Sequence, residues 1–169
     1  MRLFIIDVLF LPLVYAEDEQ PVQGINVMQQ VPVSLATEAV KAGEQEQRPL
    51  VLVIEDHPAT QKVIAYMLLF QGYQPVCVTN GQEALEWIEH ALRTEQYPSA
   101  ILLDLFMPVM DGSRFLTCLR TQWQAPVPLP PTILLTVDQG NHEALACSDV
   151  LQKPFHVKEL MASLKRVCS

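Results

Sequence analysis

The sequence predicts an α/β fold over residues 49–169: a doubly wound, five-stranded parallel sheet flanked by helices. Three observations predict it. Five short apolar runs recur at residues 50–54, 75–79, 100–103, 132–136 and 150–152, and a short apolar run bounded by turns reads as a strand buried on both faces. Segments with apolar residues at helical spacing lie between the runs, the alternation expected of a parallel sheet with crossover helices. Polar residues close four of the five runs, at Glu55-Asp56, Asp104, Thr136 and Lys153.

Bulk properties bound the rest. A chain of 169 residues with 50% hydrophobic and 18% charged residues is long enough for one good core and short for two. Its formal net charge of -8 disfavours a nucleic-acid surface, which needs clustered Lys and Arg on phosphates. No nucleic-acid partner is therefore expected. The four cysteines, Cys77, Cys118, Cys147 and Cys168, contain no C-x-x-C. They read as reduced, mostly buried thiols of a cytoplasmic protein.

Residues 1–48 read as an N-terminal apolar segment followed by a linker-like extension of unknown role. Residues 1–16 have the outline of a secretory signal, but Asp7 and Pro12 interrupt the apolar part. The run is also shorter than the roughly 20 apolar residues of a membrane span, so none is expected. A packing element, or a start assigned too early with Met28 as a later candidate, fits it better. Pro21, Gly24, Pro32 and Gly43 punctuate the stretch that follows.

The first strand, 50–54, ends in Glu55-Asp56. Pro58 suits the first turn of a helix whose inner stripe is Val63, Ile64, Met67 and Leu68, and Gly72 closes it in the left-handed conformation. His57, between the acidic pair and this helix, reads as a loop or cap residue. After the second strand, Asn80 caps a helix with Glu83 in capping-box position and Ala84, Leu85, Ile88 and Leu92 inward. The third strand delivers Asp104 at its carboxyl end, where open α/β sheets bind ligands. Pro108 then stops the ladder, Asp111-Gly112 turns the chain, and a helix with Phe115, Leu116 and Leu119 inward begins at Ser113.

A proline-rich crossing, 125–131, leads to the fourth strand and Thr136. The next helix, fourth in order, must fit within residues 141–146 and so is shortened to a turn or two. A brief fifth strand precedes Lys153-Pro154-Phe155. The last helix faces Val157, Leu160, Met161, Leu164 and Val167 inward, with Lys165 and Arg166 near its carboxyl end.

In this register Glu55, Asp56, Asp104, Thr136 and Lys153 all point into one crevice. Three carboxylates crowded together repel unless a cation sits among them, and oxygen-only ligands of this kind suit Mg²⁺. A lysine ammonium and a threonine hydroxyl could neutralise and hydrogen-bond a phosphoryl group on Asp104. Each residue alone has a dull reading (an N-cap acid, a strand Thr, a surface Lys), but their convergence on four strand ends of one sheet does not.

From about residue 49 to 167 the chain resembles a response regulator receiver domain, the phosphoacceptor module of two-component signalling. The resemblance is carried by Glu55-Asp56, by Asp104-Leu105-Phe106-Met107-Pro108-Val109-Met110-Asp111-Gly112, by Thr136 and by Lys153-Pro154-Phe155. It implies that Asp104 accepts a phosphoryl group from a sensor histidine kinase or a histidine phosphotransfer protein. It implies a Mg²⁺ site made by Glu55, Asp56, Asp104 and the backbone carbonyl of Phe106. Lys153 would contact the phosphoryl oxygens, Thr136 would swing toward them, and the Lys153-Pro154 bond would be cis. The protein would be a phosphoacceptor rather than an enzyme acting on a separate substrate, signalling to a downstream protein not named by the sequence, in an oligomeric state also left open.

Three positions depart from the family pattern. Val150 replaces the usual aromatic residue of the last strand, Ala146 stands where a Gly usually closes the fourth helix, and Val137 is larger than the residue usual after the threonine. Val150 weakens the conventional switch and, with the shortened fourth helix, keeps open a second reading, a phosphorylation-independent receiver-like scaffold. Phe106, apolar and two residues past Asp104, predicts hindered water attack on a phosphoryl group. A flavodoxin- or cobalamin-like binder is disfavoured, because the loop after the first strand is acidic and lacks glycine.

Overall fold

The computed structural model describes residues 48–168 apart from 125, 139 and 141. The readings placed on residues 1–47 lie outside the described residues. Five strands, β1 (Leu50–Ile54), β2 (Gln74–Val78), β3 (Ala100–Asp104), β4 (Thr132–Thr136) and β5 (Asp149–Gln152), form one sheet in the order β2-β1-β3-β4-β5. Every pairing is parallel. Four helices flank it: α1 (Pro58–Phe70), α2 (Gly81–Thr94), α3 (Gly112–Gln122) and α4 (Val157–Val167).

Strands β3 and β4 are buried at every residue, which is why they read as unbroken apolar runs. Alternate residues feed two core layers. Leu52, Ile54, Ile101, Leu103 and Leu134 meet Ala84 and Ile88 of α2 and Phe115, Leu116 and Leu119 of α3. Val51, Val53, Leu102, Ile133 and Leu135 meet Ile64 and Leu68 of α1 and Leu160, Met161 and Leu164 of α4. Burying each such side chain contributes about 1.5–3 kcal/mol, so both sheet faces are anchored and the carboxyl edge is held rigid between them.

The caps follow the sequence. The Asn80 side chain accepts from the backbone N–H groups of Gln82 and Glu83 at 3.0 Å each. Glu83 accepts from Thr79 N–H at 2.8 Å, one residue earlier than a capping box requires. His57 is the N-cap of α1 and accepts from Thr60 N–H at 3.3 Å. Gly72 follows α1 with φ of 85°. Between β4 and β5 the helix is reduced to a single 3-10 turn, Glu143–Leu145. The Arg120 guanidinium of α3 donates to the carbonyl oxygens of Leu145 and Ala146 and holds that turn.

Four expectations need correction. Helix α3 begins at Gly112 rather than Ser113, because Asp111 caps it by accepting from Arg114 N–H at 2.8 Å. Strand β2 starts at Gln74, whose N–H donates to Pro49 O at 2.9 Å. Val157 is exposed, being the first residue of α4 where the chain enters the helix. The four thiols are unpaired as expected, but none is buried: Cys77 and Cys168 are exposed, Cys118 and Cys147 half-buried. Cys77 sits on an edge strand, which leaves one side of it open.

Candidate functional site

Parallel pairing brings the predicted site residues to one edge. Ile54, just before Glu55, pairs with Leu103, just before Asp104; Asp104 pairs with Leu135, and Thr136 with Gln152, just before Lys153. The register alone therefore aligns the four strand ends.

The side chains close the arrangement. The Lys153 ammonium donates to Glu55 Oε2 at 2.6 Å and to Asp104 Oδ2 at 2.7 Å. Glu55 is 1% exposed, so this ion pair lies largely out of water. Carboxylate oxygens of Glu55, Asp56 and Asp104 lie within 4.8 Å of one another. Asp56 is the most open of the three, facing solvent at the mouth. The Asp104 Oδ1 accepts from the Phe106 backbone N–H at 3.3 Å, which sets that backbone beside the carboxylate. The peptide bond Lys153-Pro154 is cis.

The electrostatics reflect crowding. Burial holds the Glu55 carboxyl above its usual range; the Lys153 ammonium draws it back in part, and the Asp104 charge pushes it up again. Burial alone would lower Lys153, but its hydrogen bonds and charge contacts with Asp104 and Glu55 prevail and raise it above the ordinary lysine value. One ammonium thus serves two carboxylates, with Asp56 beside them, so the cluster keeps an excess of negative charge. A hard divalent cation with oxygen ligands fits that donor set.

Thr136 is buried, and its hydroxyl oxygen accepts from Asp138 N–H at 3.0 Å. The hydroxyl makes no hydrogen bond to the side chains of Asp104 or Lys153. The structure thus brings Thr136 to the site edge without joining it to the ion-pair cluster. Lys153 N–H donates to the Thr136 carbonyl at 2.8 Å, coupling the ends of β4 and β5 through the backbone. Sequence reasoning missed Gln61. Its side-chain amide, on α1, donates to Glu55 O at 3.0 Å and Val78 O at 2.9 Å, tying the ends of β1 and β2 beneath the acidic pair. A polar residue on the inner half of an otherwise uncharged turn was the available signal.

Comparison with known proteins agrees with this geometry. Residues 51–165 match the family described as "Response regulator receiver domain". The chemotaxis response regulator CheY4 of Vibrio cholerae superposes with a TM-score of 0.62 at 27% identity, covering 71% of this chain and 98% of that one. A receiver domain of a sensor histidine kinase from Pseudomonas aeruginosa PAO1, with a magnesium ion coordinated in its active-site cleft, superposes with a TM-score of 0.60 at 33% identity, covering 72% and 98%. A probable transcriptional regulator ycf27 from the alga Porphyra purpurea is 28% identical over 123 residues, covering 73% of this chain and 49% of that protein. The chain spans about half the length of the curated relatives it matches.

Proposed function

The chain belongs to the response regulator receiver domain family, and from that premise we propose that it accepts a phosphoryl group on Asp104, with Mg²⁺ bound, from a histidine kinase or a histidine phosphotransfer protein. The observation that carries this reading is the joint contact of Lys153 with Asp104 and Glu55 beside Asp56. In the transfer an Asp104 carboxylate oxygen forms the new O–P bond as the N–P bond to the donor imidazole breaks and the imidazole leaves. Lys153, held 2.7 Å from Asp104, neutralises charge on the equatorial phosphoryl oxygens. Thr136 uses its hydroxyl as an acceptor toward Asp138, so its proton is available for a phosphoryl oxygen.

Glu55, Asp56, Asp104 and the Phe106 carbonyl would hold Mg²⁺, which when bound supplies charge neutralisation at the transferring phosphoryl group. The aspartyl phosphate is a mixed anhydride and hydrolyses, so the mark is temporary. The chain is on this reading a phosphoacceptor and not an enzyme with a separate substrate. Its output is contact with a protein target in the cytoplasm, a placement supported by four unpaired thiols. Among the described residues no helix is long and apolar enough to cross a membrane.

A second reading, a scaffold working without phosphorylation, is favoured by Val150, which is 45% exposed on β5, and by the single 3-10 turn in place of a helix. One experiment separates the two. Incubation with acetyl phosphate should label the wild type only when Mg²⁺ is present and leave Asp104→Asn unlabelled. A wild type that stays unlabelled, while remaining folded and binding Mg²⁺, favours the scaffold.

A further inference from the structure

Helix α1 breaks the pattern in which a surface helix turns its polar side outward. Its buried residues are Ile64 and Leu68, packed against the sheet with Val51, Val53 and Leu102. At 3.6 residues per turn the opposite side carries Lys62, Tyr66, Leu69 and Phe70. Tyr66 is 40% exposed, Leu69 38% and Phe70 77%. Residues three and four apart on a helix are neighbours, so these side chains form one surface. Lys62 is the single charged residue of α1, and the helix contains no carboxylate.

The stripe runs away from the acidic crevice. Helix α1 starts beside Glu55-Asp56, and its 13 residues span about 20 Å, with Phe70 at the far end. From there the chain passes Gly72 into β2, whose first residue, Gln74, donates to Pro49 O at the amino edge of the sheet. The composition of the stripe suits a second copy of itself. In a chain of net charge -8, two copies meet with least repulsion where neither brings a carboxylate, as on α1. Lys62 stands four residues before Tyr66, and Phe70 four after it. Two such helices packed antiparallel about a two-fold axis at Tyr66 set each Lys62 against the other copy's Phe70. A cation then meets an aromatic ring, and no like charges are opposed.

We propose that the outer stripe of α1, made by Lys62, Tyr66, Leu69 and Phe70, is an isologous interface through which two copies of this chain associate. The proposal does not depend on phosphorylation of Asp104. Four side chains are far fewer than the roughly 20–30 residues a side of a standard interface, so the dimer is weak, with a dissociation constant on the order of 10–100 μM. The stripe is not what holds α1 in place, since Ile64 and Leu68 anchor it in the core and Gln61 ties it to the ends of β1 and β2.

Sedimentation equilibrium of the full chain from about 1 to 300 μM tests it. The variants leave the core untouched, because Lys62 and Phe70 are both exposed. The wild type should show a monomer–dimer equilibrium. Phe70→Lys opposes two ammonium groups at each contact and should weaken association roughly tenfold or more. Adding Lys62→Glu to Phe70→Lys restores an opposite-charge contact between copies, and the constant should return to within about threefold of the wild type. The two positions lie about 12 Å apart along one helix, so that recovery cannot arise inside one copy. Circular dichroism and the melting temperature show whether each variant is folded. A wild type that stays monomeric throughout the range, a Phe70→Lys variant that associates like the wild type, or a folded double variant that stays monomeric overturns the interface. A monomeric wild type whose Phe70→Lys variant takes phosphate more slowly from a purified histidine phosphotransfer protein, but not from acetyl phosphate, assigns the stripe to the phosphodonor and equally overturns it.

Discussion

At the residue scale, the ionisation of Glu55 makes the sharpest claim. Its folded pKa is raised by burial, so metal-free protein loses stability as pH rises through that raised value. Lys153 has the same sign at the other end of the scale. Its contribution is full at neutral pH and is lost only as pH climbs past its elevated value. Glu55→Gln should therefore melt about 3 °C higher than the wild type at neutral pH without Mg²⁺. The gap should close below about pH 4, where the wild-type carboxyl is protonated. Differential scanning calorimetry across pH, with and without Mg²⁺, checks both signs. Phe106 gives a second prediction: Phe106→Asn should shorten the phosphoryl lifetime several-fold by admitting water, and an unchanged dephosphorylation rate would contradict it.

At the scale of elements, the turn between β4 and β5 is the feature that departs most from a full crossover helix. It ends at Ala146 with φ of 46°, a left-handed conformation that costs a residue with a Cβ about 1 kcal/mol or more. Ala146→Gly should raise stability by about 1 kcal/mol, measured by urea titration at unchanged m-value. The strands were legible because a sheet covered on both faces demands unbroken apolar runs, and the Asn80 cap because it satisfies orphan N–H groups within a few residues, whereas the Asp111 cap was read as a turn. What was not legible is set by contacts remote in sequence. Gln74 joins β2 because Pro49 O accepts from it, and Gln61 matters because Val78 O, 17 residues on, lies within reach. The left-handed conformation of Val109, with φ of 66°, escaped notice because turn chemistry pointed to Asp111-Gly112, whereas Met107 and Met110, both buried, impose the left-handed residue earlier in the loop.

At the scale of the whole molecule, the design is a sheet edge at which Glu55, Asp56 and Asp104 crowd negative charge around the single ammonium of Lys153. A ligand that binds only the folded state stabilises it, on the order of 2–3 kcal/mol at a hundredfold its dissociation constant. Mg²⁺ should thus raise the melting temperature of the wild type, and Asp104→Asn should lose much of that rise. The candidate site was readable in the sequence in its membership, since strand ends can be counted, but not in its wiring. That one ammonium spans Glu55 and Asp104 while Thr136 turns to Asp138 depends on rotamers that only packing decides. The 3-10 turn is likewise held from afar, by Arg120 of α3, 25 residues before Leu145.

The central claim is that Asp104 carries the phosphoryl group. Reduction of acetyl phosphate-treated protein with borohydride converts an aspartyl phosphate to homoserine, and peptide mass spectrometry locates it. Homoserine at position 104, formed only when Mg²⁺ was present, is the predicted result. Homoserine at another acidic residue, or none in protein that binds Mg²⁺, would contradict it.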